Sequence, residues 1–186
     1  MSKTDLKEPA SRAGQARKPG LCMARREFLI LGGSAVAVLA TVGSGAQAQQ
    51  LVSSGYTRKV IGRLSELQPG SEVPFTYPTD DIDNSLVMLN EPAGGGIGPD
   101  RNVVAFNVVC PHMGSYMTGT FKPEHSVMGP CPLHLSTFDL TKHGMVVSGH
   151  ASVSLPQIVL ELDGDEIVAT GVMGLFYGYN RNPSGA

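Results

Sequence analysis

Residues 108–114 read Val-Val-Cys-Pro-His-Met-Gly, and residues 129–136 read Gly-Pro-Cys-Pro-Leu-His-Leu-Ser. Each segment pairs one cysteine with one histidine, Cys110 with His112 as C-x-H and Cys131 with His134 as C-x-x-H, and 18 residues separate His112 from Cys131. A short Cys-to-His step on a turn lets both side chains converge on one point. Two such turns facing each other supply two soft thiolates and two imidazoles. Pro111, Gly114, Pro130 and Pro132 stiffen the turns and remove or redirect backbone groups beside them.

Three chemistries compete for this donor set. Of the three cysteines, Cys22 falls in the expected leader described below, and a disulfide between the other two, Cys110 and Cys131, is the default for an exported protein. Tetrahedral zinc would also accept two thiolates and two imidazoles, but zinc fingers pair like with like, as C-x2–4-C and H-x3–5-H. Here each element mixes one Cys with one His. A binuclear cluster with one thiolate-bound and one imidazole-bound iron needs that mixture, and C-x-H…C-x-x-H is the fingerprint of the Rieske [2Fe–2S] centre. In that reading one [2Fe–2S] cluster is bound, with Cys110 and Cys131 on one iron and His112 and His134 on the other.

The rest of the chain agrees with a small β-domain. At 186 residues there is room for one domain with a substantial core and not for two sizeable ones. Charged residues are 16% against 41% hydrophobic, which excludes a disordered polyelectrolyte, and a net charge of −2 lacks the basic footprint of a nucleic-acid binder. Residues 56–62, 85–90 and 101–109 read as strands, the last running into the first Cys–His turn. Residues 157–162 and 166–172 alternate around Asp163-Gly164, a hairpin signal. No long amphipathic helix is expected outside the leader. Gly94-Gly95-Gly96 lacks the strand-to-helix context that phosphate binding requires. The expected fold is all-β: an antiparallel domain with both ligand loops at one end.

The amino terminus reads as an export signal rather than structure. Residues 1–48 carry seven Lys/Arg against three acidic residues, leaving seven basic and thirteen acidic side chains over 49–186. All seven cations lie at or before Arg26, a modestly apolar stretch fills 28–42, and Ala46-Gln47-Ala48 is an A-x-A cleavage site. Arg25-Arg26-Glu27-Phe28-Leu29 resembles the twin-arginine signal, which sends folded proteins through the twin-arginine export machinery to the periplasm. The expected division is a cleaved signal over 1–48 and the cluster domain over 49–186, with residual anchoring if the signal is retained.

Beyond the four ligands, residues 129–150 and the continuation Leu155-Pro156-Gln157-Ile158 resemble the small subunit of bacterial arsenite oxidase, as do residues 110–117 and the leader. That resemblance implies a non-catalytic electron-transfer subunit of an oxidoreductase. Its partner would be a large molybdopterin subunit that oxidises arsenite, and its acceptor a soluble cytochrome c or an azurin-like copper protein. The alternative is the quinol-oxidising Rieske subunit of a cytochrome bc-type complex. Many Rieske proteins brace their loops with a disulfide between extra cysteines at the positions of Ser115 and Leu133, so both halves are absent here. The loops must then be held by packing, for which Leu133, Leu135, Met113 and Met117 are candidates alongside an ordinary core role. A Rieske oxygenase would need a second iron domain that the length does not accommodate.

Two further positions bear on the potential. Respiratory Rieske proteins place a Ser five and a Tyr seven residues after the second ligand Cys, and their hydroxyls donate to sulfur. The corresponding residues are Ser136 and Phe138, so one donor is kept and one is missing. His125, His143 and His150 read as surface or locally hydrogen-bonded side chains, and none is assigned as a ligand. The leader generates one expected outcome: Arg25-Arg26→Lys-Lys leaves the protein in the cytoplasm, checked by fractionation, and unchanged appearance in the periplasm would remove the twin-arginine assignment.

Overall fold

The computed structural model describes residues 55–184. The expected signal over 1–48 and its cleavage site lie outside the described residues. Ten strands follow in order: β1 Lys59–Arg63, β2 Glu72–Thr76, β3 Asp83–Met88, β4 Val103–Asn107, β5 Phe121–Lys122, β6 Val127–Met128, β7 Thr137–Asp139, β8 Met145–Ser148, β9 Gln157–Asp163 and β10 Glu166–Met173. Among the described residues the helices are two single 3-10 turns, Leu64–Glu66 and Leu140–Lys142. No described helix is long and apolar enough to cross a membrane.

Six strands form one antiparallel sheet in the order β1-β10-β9-β4-β3-β2, and four form a second, β5-β6-β7-β8. Residues on β3 and β4 alternate between two cores because successive side chains point to opposite faces. Leu86, Val103 and Ala105 join Ile158, Leu160, Ile167 and Ala169 in one core. Val87, Val104 and Phe106 join Met128, Phe138 and Leu140 of the small sheet in the other. Coverage on both faces explains why β4 is buried at every residue and reads as a continuous apolar run. Lys59 Nζ donates to Thr76 O at 2.9 Å, joining the two edge strands β1 and β2 of the large sheet.

Five strands lie where the sequence places them, within a few residues. The hairpin at Asp163-Gly164 is present, with Glu166 opposite Asp163. The strand β2 was not expected, because Pro74 interrupts it. As an edge strand, β2 pairs only with β3, so the missing N–H of Pro74 leaves the ladder intact. The small sheet is also absent from the sequence reading, since strands of two to four residues carry no measurable period. It matters most, because the core beneath it contains both Cys110 and Cys131.

Asp139 closes β7. Its carboxylate accepts from Thr141 N at 2.8 Å, Thr141 Oγ1 at 2.6 Å and Lys142 Nζ at 3.0 Å. Burial pushes this carboxyl up, but the Thr141 and Lys142 donors outweigh it and hold the group below the ordinary value of 3.8. The unfolded chain therefore takes up the proton first. The stabilisation is present above the unfolded value and is lost as pH falls through the folded one. Asp139→Asn should be less stable than the parent at neutral pH. It should also lose less further stability below about pH 4, measured by denaturant midpoints across pH.

Candidate metal centre

Two turns of one design hold the four side chains. In the first, Cys110 N donates to Ser115 O at 2.8 Å and Gly114 N donates back to Cys110 O at 2.9 Å. In the second, Cys131 N donates to Ser136 O at 2.8 Å and Leu135 N donates to Cys131 O at 2.9 Å. Proline follows the cysteine in both, and the residue four positions on is left-handed, with φ of 75° at Gly114 and 60° at Leu135. The histidines stand one place apart in the shared frame, at the second position of one turn and the third of the other. The first turn is entered from β4 through Asn107, whose Oδ1 accepts from Val109 N at 3.1 Å while its Nδ2 donates to Asp83 O at 2.8 Å.

The turns bring their donors together. Both cysteines are 1% exposed and neither is in a disulfide, so the covalent reading of the pair is set aside. The thiols are hydrogen-bonded to each other. Burial pushes the Cys110 thiol up, against the amides of His112 and Met113 that point at it. Burial also opposes ionisation of Cys131. There the amides of Leu133 and His134, together with the hydroxyl of Ser115, win and hold the thiol below its ordinary range.

The histidine rings lie edge to face, with centroids 4.7 Å apart and planes at 80°. Nδ1 of His112 and Nδ1 of His134 are both buried without a hydrogen-bond partner. A buried polar atom left unpaired costs about 1–3 kcal/mol, so two on adjacent rings call for a group that uses both lone pairs. Among the described residues, no three His, Cys, Asp or Glu side chains converge to hold a single metal ion. Two thiolates, two imidazole Nδ1 atoms and inward-facing amides fit a [2Fe–2S] cluster.

A third segment crosses the second turn. Ser136 is fully buried, and its Oγ accepts from His150 N at 3.1 Å and Ala151 N at 3.0 Å, leaving the hydroxyl proton for another acceptor. Gly149 has a φ of 95°, and a Cβ there would lie 2.6 Å from Ser136 N, so the crossing is tight. Phe138 is also fully buried, in the core that holds both cysteines. The same segment carries His150 to the ligands: its ring stacks on His112 at 5.7 Å and 25° and stands 6.3 Å from His134.

His150 is exposed, as expected, but its neighbours were not foreseen, because nothing local links it to His112. Ser115 was read as half of a missing disulfide, and its hydroxyl on Cys131 is new. His143 is structural, with Nδ1 2.8 Å from Gln157 Oε1 and its ring against Gly94. His125 lies on an exposed turn away from the ligand set, its N donating to Lys122 O at 3.1 Å. The expected loop packing holds in one case of four. Met117 is fully buried, whereas Met113, Leu133 and Leu135 are 55%, 55% and 64% exposed, because the turns aim them away from the core.

The sequence model of the Rieske [2Fe-2S] domain matches residues 57–159. The iodate reductase subunit IdrB of Pseudomonas sp. (strain SCT) is 55% identical over 161 residues, covering 86% of this chain and 84% of that protein. The iodate reductase subunit IdrB of Denitromonas iodatirespirans is 52% identical over 164 residues, covering 88% and 89%. Among solved structures, the soluble domain of the Rieske protein II (soxF) from Sulfolobus acidocaldarius aligns with a TM-score of 0.62 at 21% identity, covering 71% of this chain and 86% of that one. That last likeness is one of fold.

Hydroxyl donors to sulfur stabilise the reduced, more negative cluster and so raise its potential. Ser115→Ala and Ser136→Ala should each lower the potential by roughly 40 mV, the equivalent of about 1 kcal/mol for one electron. Phe138→Tyr should raise it by a similar amount. Redox titration followed by electron paramagnetic resonance checks all three, and Ser136→Ala should also destabilise the fold because two amides lose their acceptor.

Proposed function

The chain belongs to the Rieske [2Fe–2S] family, and from that premise we propose that it is the electron-transfer subunit of an iodate-reducing molybdopterin enzyme. The observation that carries this reading is the pair of iodate reductase subunits more than 50% identical along most of both chains. Cys110 and Cys131 hold one iron and His112 and His134 the other. When bound, the cluster supplies a one-electron couple between a donor protein and the large subunit. The chain's own residues bury the sulfurs, aim amides at them and leave the imidazole end near the surface.

The surface around that end suits a protein partner. Residues 102–121, 125–138, 143–160 and 167–180 contain no Asp, Glu, Lys or Arg, so the two ligand turns and the segment crossing the second carry no charge apart from their histidines. Met113, Tyr116, Leu133, Leu135, Val153 and Tyr177 are exposed there. Leu135 pays twice, with an apolar side chain in water and a left-handed backbone that favours glycine. The turn requires the left-handed backbone, but not an apolar side chain in water. An apolar, uncharged rim of this kind matches burial against another subunit. We place the complex in the periplasm on the strength of the twin-arginine leader, with a cytochrome c or an azurin-like protein as its redox partner.

A second reading, arsenite oxidase, is favoured by the resemblance of residues 129–158 to that enzyme's small subunit; electrons would then flow out through the cluster instead of in. The quinol-oxidising alternative has less support, since Ser115 and Leu133 stand where its bracing cysteines belong. Purification of the native complex with molybdenum analysis, followed by two assays, separates these. Iodate-dependent oxidation of a reduced viologen dye is expected. Arsenite-dependent dye reduction in its place would return the second reading, and a complex without molybdenum would remove both. Cys131→Ser should abolish turnover driven by a cytochrome while sparing turnover in which dye reaches the large subunit directly, as befits a carrier that is not catalytic.

A further inference from the structure

The two ligand turns are held differently from outside. The second is crossed by residues 148–151, through the Ser136 hydroxyl and the close approach of Gly149. The first has hydrogen bonds within itself, from Cys110 N, Gly114 N and the Val109–Tyr116 bridge, while Met113 and Tyr116 on its outer side are exposed. Besides the His150 ring on His112, the segment that leaves β10 lies against it. A Cβ built on Gly114 would stand 2.6 Å from Tyr177 Cδ1 and 3.2 Å from Cζ, so the tyrosine ring occupies the place of a side chain there. The same segment lines a cleft with Pro111 and Val153. Pro111 and Gly114 flank His112, so the segment touches the ligand turn at Gly114 and faces it across the cleft at Pro111.

The segment is itself locked. Asn182 Oδ1 accepts from Phe176 N at 2.9 Å, and Asn182 Nδ2 donates to Gly174 O at 2.7 Å, closing residues 174–182 into a loop. Phe176 is 2% exposed, in the core that holds Leu86, Ile158 and Ile167, and Tyr179 meets it edge to face at 6.5 Å. Tyr177 is therefore presented from a fixed base even though its own ring is 45% exposed. The loop places an aromatic ring on a glycine whose φ of 75° already sets the turn.

We propose that residues 174–182 form a brace that positions the first ligand turn, with Tyr177 as its contact residue, replacing without a covalent bond the disulfide absent at Ser115 and Leu133. It rests on the ligand assignment proposed above and concerns Tyr177 as a positioning residue for His112. Ring contact and occlusion of the glycine hold the turn, and the phenol oxygen takes no part. The brace works only while Gly114 lacks a side chain.

The test uses full-length protein carrying its cluster, read by the decay of visible absorbance under a chelator and by the resonance lines of the reduced state. Tyr177→Ala should shorten cluster lifetime roughly fivefold or more, as loss of a packed aromatic contact implies, and should broaden the reduced-state lines. Tyr177→Phe should match the parent in both. Asn182→Ala should weaken the cluster in the same direction by freeing the base of the brace. Gly114→Ala should be severe with Tyr177 in place and much milder in the Tyr177→Ala background, where the collision is gone; that non-additivity marks direct contact. Parent-like behaviour of Tyr177→Ala, equal damage from Phe and Ala, or additive effects in the cycle would overturn the brace. A parent lacking the Rieske signal altogether would overturn the ligand assignment, and the brace with it.

Discussion

Two cysteine sulfurs side by side at the end of a protein core are an electrostatic problem before they are a metal site. Each thiolate loses hydration on burial, and each repels the other, so neither ionises without donors arranged around it. The six-residue turn solves this by pointing two consecutive amides at each sulfur: those of His112 and Met113 at Cys110, and those of Leu133 and His134 at Cys131. That constraint explains the parts the two turns share. Proline after each cysteine presets the bend, the left-handed residue at the fourth position closes it, and the returning bond from the cysteine N–H fixes its width. The rest of the molecule supports these turns, with β4 leading into the first and the small sheet following the second.

The turns are similar but not equivalent, and the difference is functional. Cys131 gains a hydroxyl from Ser115 of the opposite turn, so the two sulfurs do not meet the same field. The second turn is also stitched to the segment carrying His150, whose ring lies on His112. Each turn is thus tied to the other's ligand: Ser115 to Cys131, and the segment bonded to Ser136 to His112. A binuclear group bound here would link the turns a further time, which fits a site held by many modest contacts in place of one covalent bridge.

Polarity runs from one end of the site to the other. The sulfurs are buried among Phe138, Met117 and Met128, and the imidazoles approach a surface without charged side chains. None of the thirteen acidic residues over 49–186 falls on either ligand turn or on residues 148–151. Charge on such a face would cost desolvation on association and shift the potential of a nearby redox centre. An uncharged apolar face avoids both effects.

The pairing of each cysteine with a histidine, the β class, the hairpin at Asp163-Gly164 and the entry from β4 into the first turn were legible in the sequence, because each rests on local spacing or pattern. Loss of the bracing disulfide was legible too, since it is written at Ser115 and Leu133. What replaces it was not. Leu133, Leu135 and Met113 resemble core residues by type, and only the direction of each turn sends them outward. Ser115 reaches Cys131, His150 reaches His112, and Tyr177 reaches Gly114 across separations of 16, 38 and 63 residues that no local pattern spans. The sequence by itself singled out Cys110, His112, Cys131 and His134 as the candidate ligands, because ligand chemistry belongs to residue type and short spacing. Tertiary structure alone decided what surrounds those atoms, because hydrogen bonds to sulfur and the packing of rings depend on how distant segments meet.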